Sequence, residues 1–364
     1  MKKTILSLIL LALIAVVGTR AEAVFKVVGG QAACDTTLLG CSSIPLTPTT
    51  LCSASCNKLS SPSFTSTSRF WGGGSDCNTS SDGGLTWANC TTQPFTSGGI
   101  ELYAGASDGS VIGSAQLAGV CTIKRSTDNG SNWTTVFTDG AIGCGGAVSG
   151  GTRIKCLSDG QCNFIFRNTV TATPRLLAST DNGQNWTLTT VGAAAITPVS
   201  LAWDGSVGIA TANGDRSEKY AGSWTQGTAA FAGCGGFISG SVIYNGVPYG
   251  LCKEAGALSE NYRMMTADGA LFKTVTLPGA FPGAGTASLA YSLKTDQLYF
   301  VAGVDTTPQV AIGVWVSLDD GVTFVKIYES ATSTNGMTNT SDIFFSNGCI
   351  YFSGGNTPVF TKIC

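Results

Sequence analysis

One short pattern, written six times into the chain, limits the fold more than any other feature. Ser80-Ser81-Asp82-Gly83-Gly84-Leu85-Thr86-Trp87 reads S-x-D-x-G-x-T-W. Ser126, Asp128, Gly130, Asn132 and Trp133 repeat it, as do Ser179, Asp181, Gly183, Asn185 and Trp186, and then Ser317, Asp319, Gly321, Thr323 and Phe324. Two weaker copies fill the remaining gap: Thr266-Ala267-Asp268 with Phe272, and Thr211-Ala212-Asn213, where an insertion separates the turn from Trp224. Successive starts at 80, 126, 179, 211, 266 and 317 are 46, 53, 32, 55 and 51 residues apart. A repeat of roughly 40 to 50 residues is the length of a four-stranded propeller blade.

The chemistry of the pattern predicts a hairpin. An Asp two residues before Gly places a carboxylate where it accepts backbone N–H groups across a turn, and Gly supplies the positive φ. The Ser or Thr hydroxyl ties the incoming strand to the turn. The aromatic residue that follows is large enough to fill a gap between neighbouring sheets. β-prone stretches flank the copies, such as Thr134-Thr135-Val136-Phe137 after one and Val314-Trp315-Val316 before another. Gln297–Val301 and Ala287–Tyr291 add two earlier strands to that unit, making four. Glycine, at 48 of 364 residues, is partly explained by these turns, and charged residues make up only 12% of the chain.

These residues resemble the Asp-box, or BNR, repeat of sialidases and other β-propellers, over about residues 69–364. The resemblance implies that each box joins the third and fourth strands of a blade at the periphery, away from the central ligand site. Ser80, Asp82, Gly84, Trp87, Ser126, Asp128, Gly130, Trp133, Ser179, Asp181, Gly183, Trp186, Asp268, Ser317, Asp319, Gly321 and Phe324 are therefore structural candidates. It further implies, for a sialidase, three arginines, a tyrosine nucleophile with a glutamate partner, an aspartate acid/base, and an F/Y-R-I-P motif before the first box. Only Arg69, in Ser68-Arg69-Phe70-Trp71, stands there, and Ile-Pro is missing. Arg153, Arg167, Arg175, Arg216 and Arg263 remain, with Glu218 and Tyr220 or Glu260 and Tyr262 as conceivable nucleophile pairs. Both pairs read as solvated loop residues, and Arg216 and Glu218 fall inside a degraded box. No catalytic residue is assigned.

The last box is followed by three strand-like stretches and no further box, and the first is preceded by too little for a blade. Joining these halves gives an all-β, disulfide-bonded six-bladed β-propeller of four-stranded antiparallel blades, with seven blades as the alternative. Fourteen cysteines, an even number, lie beyond the leader and favour disulfides. Cys156 and Cys162 flank the turn 157–161 and form the best local pair; Cys234, Cys252, Cys349 and Cys364 are further candidates. A bond from Cys364 to Cys77, Cys90 or Cys349 would pin the ring.

Residues 1–23 read as a secretory signal peptide: Lys2 and Lys3, an apolar run from Ile5 to Val17, and a small-residue site at Ala21-Glu22-Ala23. Residues 24–68 hold four cysteines and a Ser/Thr/Pro-rich tract, and read as a cap on the ring or as an arm binding another subunit. Loss of the leader takes the net charge from −2 to −4. Scattered Lys and Arg argue against nucleic acid, and no later run suits a membrane span. The absence of histidine removes Ser-His-Asp chemistry and the commonest metal ligand, and no C-x-x-C occurs, so neither metal nor cofactor is expected. The expected role is a secreted or cell-surface (or periplasmic) binding or structural module for a glycan or protein surface, with self-association through residues 24–68 if they form the arm and not the cap; a diverged sialidase-like glycosidase is the alternative.

Overall fold

The structure is a computed structural model that describes most of residues 69–329, together with short strands at 27–28, 31–32, 44–45, 58–59, 343–346, 349–354 and 359–363. The chain divides into two units, Met1–Ser42 and Ser43–Cys364. In the first, Val27–Val28 pairs antiparallel with Gln31–Ala32.

The second unit contains seven four-stranded antiparallel sheets. Six are built from four consecutive strands. Blade 1 is Lys58–Leu59, Phe70–Gly73, Asn78–Ser80 and Ala88–Asn89; blade 2 is Leu102–Gly105, Val111–Leu117, Val120–Ser126 and Thr134–Asp139. Blade 3 is Arg153–Cys156, Cys162–Arg167, Pro174–Ser179 and Thr187–Thr190; blade 4 is Pro198–Trp203, Val207–Ala212, Arg216–Ala221 and Trp224–Gln226. Blade 5 is Cys234–Tyr244, Val247–Glu254, Asn261–Thr266 and Leu271–Thr276; blade 6 is Ser288–Ser292, Gln297–Thr306, Gln309–Ser317 and Val325–Glu329. The seventh sheet is composite: Ile343–Ser346, Cys349–Gly354 and Val359–Ile363 are completed by Ile44–Pro45, with Ile44 opposite Lys362 and Pro45 opposite Thr361.

The propeller class and the four-stranded antiparallel blade are as expected, and chain ends do share one blade. Six consecutive blades match six repeats, and the composite sheet adds a seventh that carries no copy of the pattern. The strands around Ser80 do not join the C-terminal strands, because Lys58–Leu59 gives them a first strand of their own.

First strands of successive blades pack side by side from blade 2 through blade 7, which makes them the innermost. Apolar seams between blades form the core. Phe164 and Phe166 join Ile112, Ile123 and Leu177 on one side of blade 3, while Ile165, between them, joins Trp203 and Ala210 of blade 4. A strand buried on both faces needs such an unbroken apolar run, and Cys162–Arg167 is buried along all but its last residue. Each large side chain in such a seam contributes about 1.5–3 kcal/mol of burial.

Four disulfides are described, all within single blades: Cys77–Cys90, Cys121–Cys144, Cys156–Cys162 and Cys234–Cys252. The hairpin pair is as expected, with Cα atoms 4.1 Å apart. Closure by Cys364 onto Cys77 or Cys90 is overturned, because those two bond each other. The Cys349 side chain and Cys364 lie outside the described residues, as do residues 1–23. Among the described residues no helix is long and apolar enough to cross a membrane.

Candidate functional site

The repeated turns are built alike. Each begins on the last residue of a third strand and leads into the fourth. Ser126 Oγ donates to Asp128 Oδ1 at 2.8 Å and accepts from the Gly130 N–H at 2.8 Å. Asp128 then accepts from the Asn132 N–H at 2.8 Å and from its side chain at 2.7 Å. Ser179, Asp181, Gly183 and Asn185 repeat this network, and so do Ser317, Asp319, Gly321 and Thr323. In the first copy Asp82 accepts from Ser80 Oγ and from the Thr86 N–H and hydroxyl; Gly84 lies outside the described residues. The bonds from Asn132 and Ser126 hold Asp128 down to about 2. Burial opposes ionisation of Asp181 and Asp319, yet their hydrogen bonds outweigh it and both lie below the usual range.

The aromatic partner reaches back to the preceding blade. Trp133 meets Trp71 of blade 1 edge-on at 6.3 Å and donates to the Thr92 carbonyl at 3.1 Å. Trp186 packs into the seam of blades 2 and 3, and Phe324 meets Phe300 at 5.0 Å in the seam of blades 5 and 6. Trp87 is half-buried.

Two copies depart from the pattern. Asp268 leaves its turn and pairs with Lys219 of blade 4 at 2.6 Å, while Thr266 Oγ1 alone accepts from the Ala270 N–H. Thr211-Ala212 ends the second strand of blade 4, so it is not a third-to-fourth connection. That connection is Gly222-Ser223, a tight turn leading directly into Trp224. The third strands end at 80, 126, 179, 221, 266 and 317, which are 46, 53, 42, 45 and 51 apart; the irregular 32 and 55 arose from aligning the wrong turn.

Several charged side chains among the described residues are held by the ring's own groups, while Arg167 Nε is buried with no partner there. Arg125 is paired with Asp108 and donates to the Asn182 carbonyl. Arg263 is paired with Glu254 at 2.6 Å and also donates to the Ala232 carbonyl. Arg175 donates to Thr190 Oγ1, and Arg69 reaches Thr79 Oγ1 at 3.4 Å. Tyr262 is a core residue, 2% exposed, and burial pushes its hydroxyl up to about 12. Glu260 and the side chains of Arg153 and Arg216 lie outside the described residues. Among the described residues no three metal-ligating side chains cluster.

Glu218 stands apart. It is no solvated loop residue: it lies in the third strand of blade 4, is 1% exposed, and neither carboxyl oxygen has a hydrogen-bond partner among the described residues. Its cross-strand neighbours are Ala210 and Gln226. Directly opposed residues share a sheet face, and Ala210 faces blade 3, packed with Ile165, Leu176 and Val191. Tyr220, two residues on, takes the same face and meets Trp203 at 5.9 Å and Trp224 at 5.3 Å. The apolar wall raises the Glu218 carboxyl to about 7 through desolvation. The polar run Arg216-Ser217-Glu218-Lys219 hid this strand; the readable signal was Gly222-Ser223-Trp224 at the place of a box turn.

No protein-family model matches the chain, and no curated protein matches it. Similar solved structures include YCF48 bound to D1 peptide, at 14% identity over 89% of this chain and 94% of that one, with a TM-score of 0.58. The fold is a β-propeller. U3-55K is similar at 12% identity over 86% and 96% of the two chains, with a TM-score of 0.55. An ancestral GH74 enzyme is similar at 11% identity and a TM-score of 0.52, and this chain spans 47% of its length. The propeller resembles a peptide-bound protein and an enzyme alike, so the likeness fixes its architecture and leaves activity to the site.

Proposed function

We propose that this chain is an exported Asp-box propeller, stapled by disulfides, that works as a non-enzymatic module binding a peptide, protein or glycan surface. The observation that carries this reading is the engagement of its charged groups: Arg125 with Asp108, Arg263 with Glu254 and Lys219 with Asp268 tie turns and strands together. Charges held in such pairs serve the ring and are not free to position a substrate carboxylate or protonate a leaving group. The Ser-Asp turns between third and fourth strands support the Asp-box assignment, and the leader-like first 23 residues with paired cysteines support export. YCF48, with its bound D1 peptide, is a precedent for a propeller that holds a peptide.

The oxidised, purified protein applied to peptide and glycan arrays tests the reading. Saturable retention on one chemical class is expected, and retention no greater than that of the reduced, unfolded chain would count against it.

A further inference from the structure

We propose that the seam between blades 3 and 4 is a proton-operated joint, held shut by Glu218 in its neutral form and loosened when that carboxyl ionises. The geometry is that of a buried acid with no ion-pair partner among the described residues. Both Glu218 oxygens are buried with no hydrogen-bond partner among the described residues, on the sheet face where Ala210, directly opposite, packs with Ile165, Leu176 and Val191 of blade 3. The indole nitrogens of Trp203 and Trp224, in the same seam, are also buried without partners among the described residues. A neutral carboxyl is tolerated in such a wall, whereas a carboxylate there demands water or a cation.

The titratable groups around it are few. From blade 3, Arg167 lies two residues beyond Ile165 on the same strand, its Nε buried without a partner among the described residues, and Arg153 stands opposite Ile165 in register. The first strand also brings Lys155, opposite Asn163 and so on the face of Ile165, while the third and fourth strands bring Leu176, Ala178, Thr187 and Thr189. From blade 4, Tyr220 shares the face and Arg216 stands opposite Ala212; the strands Pro198–Trp203, Val207–Ala212 and Trp224–Gln226 contain no ionisable residue. Lys219, next in sequence, turns away to Asp268 of blade 5.

Desolvation holds the Glu218 proton up to about 7 in the closed seam, against an ordinary glutamate value in the open one. Between those values the closed form keeps a proton that the open form releases. Opening is therefore favoured up to about tenfold for each pH unit gained, and the effect levels off above neutrality. Binding at this ring would then be tuned by the acidity of its surroundings.

Hydrogen exchange of the full oxidised chain between pH 5 and 8.5, corrected for the intrinsic pH dependence, tests the joint. Peptides covering 198–226 are expected to lose protection as pH rises towards 7, while those covering blade 2 do not, and Glu218→Gln is expected to flatten the response. Identical profiles for the wild type and Glu218→Gln would overturn the proposal. Should that variant fail to fold, Glu218→Met gives a second neutral replacement. The infrared carbonyl band of a protonated carboxyl in the wild type is decisive on its own: its presence at pH 6 and loss by pH 8 are expected, and its absence at pH 6 refutes the idea.

Discussion

Arg125 Nε donates to the carbonyl oxygen of Asn182 at 2.9 Å, fastening blade 2 to the repeated turn of blade 3. Asn182 is itself tied three ways. Its Oδ1 accepts from the Ser107 N–H at 3.1 Å and the Ser107 hydroxyl at 2.6 Å, and its N–H donates to the Gly160 carbonyl at 2.9 Å. The residue takes a left-handed backbone, φ 58°, which asparagine tolerates better than other non-glycine residues.

Loss of this bolt is the first prediction. Arg125 is mostly buried and hydrogen-bonded to both Asp108 and Asn182, so Arg125→Ala should lower stability by about 2–4 kcal/mol, as for a charge-assisted network left half-made. Asp108 sits below its usual range because the hydrogen bonds from Ser110 and the Arg125 charge together exceed its burial cost. Chemical denaturation of Arg125→Ala, Asp108→Ala and the double variant should show coupling between the two sites.

Acid should act through the turns. Asp128 is held down to about 2, so its contribution is complete above the ordinary aspartate value near 3.9 and is lost as pH falls towards 2. Thermal melting of the wild type from pH 5 to 2 is expected to fall more steeply than that of Asp128→Asn, which lacks the titrating group.

Two glycines separate conformation from crowding. Gly183 has φ +74°, and a Cβ there would meet Ile112 Cγ1 of blade 2 at 2.9 Å; Gly119 has φ +86° with nothing within 4 Å. Gly119→Ala should cost only the left-handed penalty of about 1–2 kcal/mol. Gly183→Ala should cost about 1–3 kcal/mol more, because the inter-blade contact is overpacked as well. Urea midpoints of the two variants measure the difference.

Disulfides of different span offer a fourth test. Cys156 and Cys162 are 6 residues apart in sequence, Cys121 and Cys144 are 23 apart. Chain entropy predicts that removing the longer bridge costs about 1 kcal/mol more, readable as a larger fall in melting temperature for Cys121→Ser/Cys144→Ser than for Cys156→Ser/Cys162→Ser.

Turn chemistry is local, and that is why the blades were legible. Ser126, Asp128, Gly130 and Trp133 act within a few residues of one another, so spacing alone disclosed both hairpin and repeat. The seventh blade was only an alternative because Ile44–Pro45 is two residues long and finds Val359–Ile363 across the whole chain. No local signal marks such a pairing. Glu218 escaped for a related reason: it shares a sheet face with Ala210, which packs on Ile165, Leu176 and Val191 of another blade, while its own sequence neighbours are polar. Asp268 kept the letter of the pattern and lost its network, since Lys219 offered a charged partner across the seam.

The central claim is a ring that binds without turnover. Release of free sugar from sialosides and a panel of plain glycosides, measured on the same oxidised protein that is retained on an array, tests it most directly. No release above buffer from a binding-competent sample is the predicted result. Sustained release that disappears in Arg69→Ala or Glu218→Gln would contradict the account.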